Sequence, residues 1–217
     1  MRELSLHILD VLQNAREAGS KMVRLTVEEN TAEDRLLIEV EDNGPGMAEE
    51  DMQRAADPFF STRKTRHVGL GLPLFAAAAE RCNGGLKIEK APGRGLRVAA
   101  SFEHGHVDRA PLGNMARTIL TFLMGEPACD LVYTHRRNGK SFELDSRLVR
   151  KELGPIPLSH PTVREWLGSY VAEGEEGLTR PEEEISIPSA GTQGVEKRDV
   201  DRQPRAGRVD HAKTQEP

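Results

Sequence analysis

The sequence predicts a two-layer α/β sandwich rather than a regular strand–helix alternation. Two observations in its first half carry that expectation. Alternating apolar patterns occur there as two separate pairs of strands, and helical patterns lie before and between those pairs, giving the order α, ββ, α, loop, α, ββ. A third is length: 217 residues suffice for one sizeable core, or for one core with a smaller appendage.

The opening helix is set by Leu4, Ile8, Val11, Leu12 and Ala15, which recur at helical spacing and form one apolar stripe. Beside it runs a polar stripe, His7, Asp10, Asn14 and Glu17, stacked in steps of three, four and three. KMVRLTVEE and RLLIEVED then alternate apolar and polar residues around the polar NTAED, as a β-hairpin does. DNGPGM breaks the second strand, and AEEDMQRAA supplies a short helix with an acidic start. DPFFSTRKTRHV is too polar and basic for core, yet paired aromatics anchor it, so it reads as a loop. GLGLPLFAAAAERCNGG opens on glycines, continues as an alanine-rich helix and stops at Asn83-Gly84-Gly85. LKIEKA and GLRVAASF, joined by APGRG, form the second strand pair.

Residues 104–177 read as a small α+β extension. LGNMARTILTFLMG is a helix, and DLVYTHRRNGKSFELD is a hairpin turned at Asn138-Gly139, a strong type I′ signal. SRLVRKEL and PTVREWLGSYVAEG close the module as helices. Beyond Gly177 the apolar pattern fades into charged and proline-containing sequence, so residues 178–217 read as a disordered tail.

Charge and cysteine usage narrow the function. A net charge of −5 gives no global positive excess and argues against nucleic acid as the main partner. Cys82 and Cys129 lie far apart without metal-ligand spacing and read as buried thiols of a reducing cytoplasm. The start of the chain has no apolar run long enough for a signal peptide or a membrane span, so a cytoplasmic location is expected.

Three features carry chemistry. Asp42 stands where a strand ends, beside Gly44 and Gly46. A carboxylate there can accept from an exocyclic amine while the glycines let the backbone approach a flat ring, for which adenine is a natural fit; alone, the same residues read as an acidic turn. Gly69-Leu70-Gly71-Leu72 opens the alanine-rich helix, offering backbone N–H groups to a polyphosphate, with Arg63, Lys64, Arg66 and His67 as mobile cations and Phe59 and Phe60 as anchors. Asn14 offers a carboxamide oxygen, a hard ligand suited to Mg²⁺, and Asp10 one turn earlier can order or deprotonate a water. Each of the last two features also reads as ordinary structure, a tight helix start after a basic loop and a solvated helix face.

Together and in order, these segments resemble the GHKL, or Bergerat-fold, ATPases, which include gyrase B subunits, heat-shock chaperones, sensor histidine kinases, anti-sigma-factor serine kinases and mismatch-repair ATPases. HILDVLQNAREAG resembles their N box, DNGPGM their G1 box, DPFFSTR their F box and GLGLP their G2 box. The resemblance covers residues 1–103 and implies an ATP-binding domain with a mixed sheet covered by helices on one face. It implies ATP and Mg²⁺ as ligands, with Asn14 on the metal and Asp42 on adenine. Gly44, Gly46 and Met47 stand beside Asp42; Phe59, Arg63, Lys64, Gly69, Leu70, Gly71 and Leu72 belong to the lid and the phosphate-binding helix start. Asp10 falls where hydrolytic members have a glutamate general base and many sensor kinases an asparagine. Being shorter than glutamate by one methylene, it would hold a water in a displaced position, which the resemblance sets against hydrolysis. Glu17 stands where some sensor kinases carry a phosphate-contacting lysine, and Leu96 replaces a usual threonine.

No dimerising hairpin with a phosphoacceptor histidine precedes the N box in this sequence, and His7 reads as structural. The expected function is a regulatory protein kinase or nucleotide switch acting on an unidentified protein partner, with a homodimer left open. The alternatives are a slow ATPase that drives a partner's conformational change, with Asp10 orienting water, and a non-catalytic ATP sensor. His104, His106 and Asp108 alternate as metal ligands can, but no further ligand follows from spacing, and a polar strand end running into a proline-started helix explains them better.

Overall fold

The computed structural model describes residues 2–55 and 71–180. Among these the order is α1 (Leu4–Glu17), β1 (Met22–Asn30), β2 (Arg35–Asp42), α2 (Glu49–Arg54), α3 (Gly71–Arg81), β3 (Gly85–Lys90), β4 (Leu96–Glu103), α4 (Met115–Leu123), β5 (Asp130–Arg137), β6 (Lys140–Asp145), α5 (Ser146–Leu153) and α6 (Pro161–Thr179). The strands form one six-stranded sheet in the order β3-β4-β2-β1-β5-β6. It is mixed, because β1 and β5 run parallel while the other neighbours are antiparallel. α3, α1, α4 and α6 pack side by side in that order, giving the α/β sandwich that the element order predicts.

Alternation decides which face of the sheet is covered. Val23, Leu25 and Val27 of β1 are buried with Leu36, Ile38 and Val40 of β2, and the register sets Leu25 against Val40 and Val27 against Ile38. Their neighbours of opposite parity form cross-strand ion pairs: Arg24 with Glu41, Arg97 with Glu39 and Glu89, and Arg136 with Glu28. Exposed pairs of this kind contribute little, so removal of apolar area from water supplies most of the stabilisation.

The apolar stripe of α1 is buried throughout. Its polar stripe is not one face. His7 is only 3% exposed, Asp10 and Asn14 are half-buried, and Glu17 is exposed. The reason is helical drift: steps of three, four and three rotate the stripe by about 80° from end to end at 3.6 residues per turn. His7 stacks on Phe75 of α3, with ring centroids 5.2 Å apart and planes 9° from parallel. Burial lowers its pKa and keeps the imidazole neutral, which suits a packing role.

Residues 104–177 continue the same two layers. β5 pairs with the open edge of β1, β6 forms the sheet edge, and α4 and α6 lengthen the helical row. An isolated hairpin could not bury its apolar face, whereas β1 supplies both backbone partners and a core. The turn is as expected, with φ of +47° at Asn138 and +88° at Gly139. α6 runs to Thr179, past the expected start of the tail at 178, and residues 181–217 lie outside the described residues. Cys82 and Cys129 are free and buried, and burial pushes both thiols up, Cys129 to about 11.

Candidate functional site

β2 delivers Asp42 to the end of the sheet where α1 hands over to β1. The Asp42 carboxylate accepts two hydrogen bonds on Oδ1, from the Ser20 hydroxyl and from the Gly44 backbone N–H, both at 2.7 Å. The next side chain repeats the arrangement: Asn43 Oδ1 accepts from the backbone N–H of Lys21 (2.9 Å) and Met22 (3.1 Å). The Asp-Asn pair therefore clamps the α1–β1 junction from the opposite strand. Ser20 N–H donates to Ala15 O at 3.1 Å, so the clamp holds the turn of α1 that carries Asn14.

The floor beside Asp42 is backbone. Gly95 has φ +107°, and a Cβ placed on it would lie 1.8 Å from Asp42 O. Gly46 has φ +76°, and its Cβ would lie 3.2 Å from Gly95 O. Two turns thus meet with no side chain between them, which is the close approach that only glycine permits. Gly95→Ala is expected to cost about 3 kcal/mol, from the left-handed φ and the clash with Asp42 O. Urea denaturation checks it, and an unchanged midpoint would overturn this account of the turn.

Across the clamp, Asp10 and Asn14 lie one turn apart on α1. The first residue of α3, Gly71, abuts Asp10: a Cβ there would be 3.2 Å from Asp10 Cβ and 3.5 Å from Oδ2. The start of α3, with its unsatisfied backbone N–H groups and positive dipole end, is therefore beside Asp10. Leu72 is half-buried against the core, and Met47 is half-buried after β2. Phe59, Phe60, Arg63, Lys64, Arg66, His67, Gly69 and Leu70 lie outside the described residues.

A second polar cluster sits at the other end of β1. Glu29 is 8% exposed and bonds three groups: His104 Nε2 at 2.7 Å, His135 Nε2 at 3.1 Å and Arg137 Nη1 at 3.1 and 3.2 Å. The other His135 nitrogen, Nδ1, meets Glu175 of α6 at 2.9 Å, and Glu175 also accepts from the Tyr133 hydroxyl at 2.7 Å. Burial alone would lower the His135 pKa, but hydrogen bonds to Glu175 and Glu29 raise it to about 9. Burial would raise that of Glu29, yet the bonds from His135 and His104 and the charge of Arg137 bring it to about 2. His104 thus points at Glu29, whereas His106 Nδ1 accepts from the Asp108 backbone N–H at 3.2 Å. Among the described residues no group of three His, Cys, Asp or Glu could hold a metal ion. Sequence reasoning missed this cluster, although one signal was available. Glu29 falls on the buried parity of β1, where a charge requires partners.

A mixed sheet under a helical row, with an acidic strand end set among glycines and tied to the end of the first helix, defines the Bergerat class of nucleotide-binding domain. Residues 2–106 match the family described as histidine kinase-, DNA gyrase B- and HSP90-like ATPase, and this N-terminal segment is similar to the ATPase domains of that family. Its similar relatives include sporulation kinase C of Bacillus subtilis (strain 168), 32% identical over 93 residues that make up 43% of this chain and 22% of that one. Another is sensor histidine kinase YxdK of the same organism, 32% identical over 104 residues, covering 46% of this chain and 32% of the relative. The matched segment therefore spans about a third or less of these kinases. Among solved structures, the ATP binding domain of PrrB from Mycobacterium tuberculosis is 22% identical, with a TM-score of 0.34 over 46% of this chain and 66% of that chain. The match of this segment supports ATP binding.

Proposed function

We propose that the protein binds Mg²⁺-ATP between Asp42 and the start of α3, and acts as a regulatory kinase or nucleotide switch on a protein partner in the cytoplasm. The observation that carries this reading is the clamp. Ser20, Asp42 and Gly44 lock the strand end to the turn of α1 that bears Asn14, so an adenine site at Asp42 and a metal site at Asn14 would share one rigid frame. Asp42 would accept from the adenine amine, with Gly44, Gly46 and Met47 beside the ring. The N–H groups at Gly71 and Leu72 would face phosphate, and Arg63, Lys64, Gly69 and Leu70, with Phe59 as loop anchor, are the proposed contributors from the preceding sequence, which lies outside the described residues.

The residues present fit the ions this class uses. Glycines keep the Asp42 floor clear of side chains, and Asn14 carries a hard oxygen donor on the same helix as Asp10. Mg²⁺ would neutralise phosphate charge when bound, with Asn14 holding it. Asp10 would orient a water in the ATPase alternative. The region from residue 104 onward would present the partner surface, and a homodimer is compatible with it.

Incubation with γ-labelled ATP and candidate partners separates the readings: label on a partner supports the kinase, free phosphate the ATPase, and intact bound ATP a non-catalytic sensor. Asn14→Ala is expected to abolish the Mg²⁺ dependence of ATP binding while leaving the metal-free affinity in place. A titration with and without Mg²⁺ measures this, and a dependence equal to wild type would remove Asn14 from the metal site.

A further inference from the structure

We propose that Ser20 is the positioning residue that gives the nucleotide site its preference for a base with an exocyclic amine. The proposal rests on the ATP-binding reading above and adds to it a determinant outside the four sequence boxes. Ser20 is 3% exposed, one residue beyond the turn that ends α1, and its hydroxyl donates to Asp42 Oδ1 at 2.7 Å. Gly44 N–H donates to the same oxygen at the same distance. Two donors on one oxygen fix the carboxylate plane and leave Oδ2 as the oxygen available to a ligand.

The packing makes this arrangement tight. A Cβ on Gly44 would come within 2.5 Å of Ser20 Oγ and 2.8 Å of Asp42 Oδ1, so hydroxyl, carboxylate and loop backbone fill one space. Gly44 is needed here for that closeness, since its φ is not among the positive ones. The Ser20 hydroxyl and the Gly44 amide, both donating to Oδ1, resist rotation of the Asp42 carboxylate. A carboxylate held so, as a pure acceptor, favours an amine opposite Oδ2 and disfavours a carbonyl there.

The test compares ATP with inosine triphosphate, which carries a carbonyl where adenine carries the amine. In Ser20→Ala, ATP affinity is expected to fall about tenfold, the scale of one hydrogen bond to a charged group, while inosine triphosphate affinity is unchanged. Ser20→Thr, which restores the hydroxyl, is expected to recover the ATP preference. A parallel loss for both nucleotides, or no loss for either, would overturn the role given to Ser20. Failure of the wild-type protein to bind ATP would instead overturn the ATP-binding reading itself, so the two failures are distinguishable.

Discussion

Asp42→Asn is expected to lower ATP affinity by about 30- to 100-fold, the loss of a charge-assisted hydrogen bond together with a donor set against a donor. The substitution isolates binding from folding. Asparagine presents an Oδ1 that can still accept from Ser20 and Gly44, so the clamp on the α1–β1 junction persists. What changes is the second position, where an NH₂ group replaces the carboxylate oxygen and faces the adenine amine. Isothermal titration with ATP measures the affinity, and thermal unfolding is expected to show a melting temperature close to wild type. Unchanged ATP affinity in a folded protein would sink the assignment of Asp42 to adenine. Loss of affinity with a large fall in melting temperature would show that the clamp, not the ligand contact, had been broken.

Much of the fold was legible because local patterns and tertiary structure agree. Strand parity placed Val23, Leu25, Val27, Leu36, Ile38 and Val40 on one face, and all are buried. Asn138-Gly139 fixed a turn whose backbone requires positive φ at both residues. Less legible was where the β5–β6 hairpin would go. Parallel pairing of β1 with β5 joins residues far apart in sequence, and no local pattern encodes it. The candidate site divides along the same line. Asp42, Gly44 and Gly46 stand out in sequence as a strand end with glycines, but Ser20 and Gly95 reach Asp42 only through the fold. The polar stripe of α1 was over-read as one face because a regular spacing conceals the drift that buries His7 and exposes Glu17.

The cluster around His135 yields an expected effect on stability as large as that of Gly95→Ala. His135→Leu removes the group that, among the described residues, bonds both Glu29 and Glu175, leaving two carboxylates near each other in a poorly solvated place. Arg137 and His104 still reach Glu29, and the Tyr133 hydroxyl still reaches Glu175, so the loss is partial. Breaking a buried pair in this way costs about 3 kcal/mol, or a fall in melting temperature of about 10 °C for a chain of this size. The pH profile identifies the cause. With the His135 pKa raised from 6.5 to about 9, its stabilisation is fully present below 6.5 and is lost as pH rises through 9. Glu29 acts in the opposite sense: lowered from 4.5 to about 2, it stabilises above 4.5 and fails as pH falls through 2. The cluster therefore stabilises the fold most between pH 4.5 and 6.5, and wild type is expected to lose roughly 2 kcal/mol between pH 6.5 and 9. In urea denaturation at pH 6, 7.5 and 9, the gap between wild type and His135→Leu should close as pH rises; a gap independent of pH would mean that packing, not charge, holds α6 at this point. Asp42 pairs with the start of β1, opposite Val23, whereas Glu29 lies at its far end. At pH 6 the variant should thus be less stable than wild type and still bind ATP with wild-type affinity.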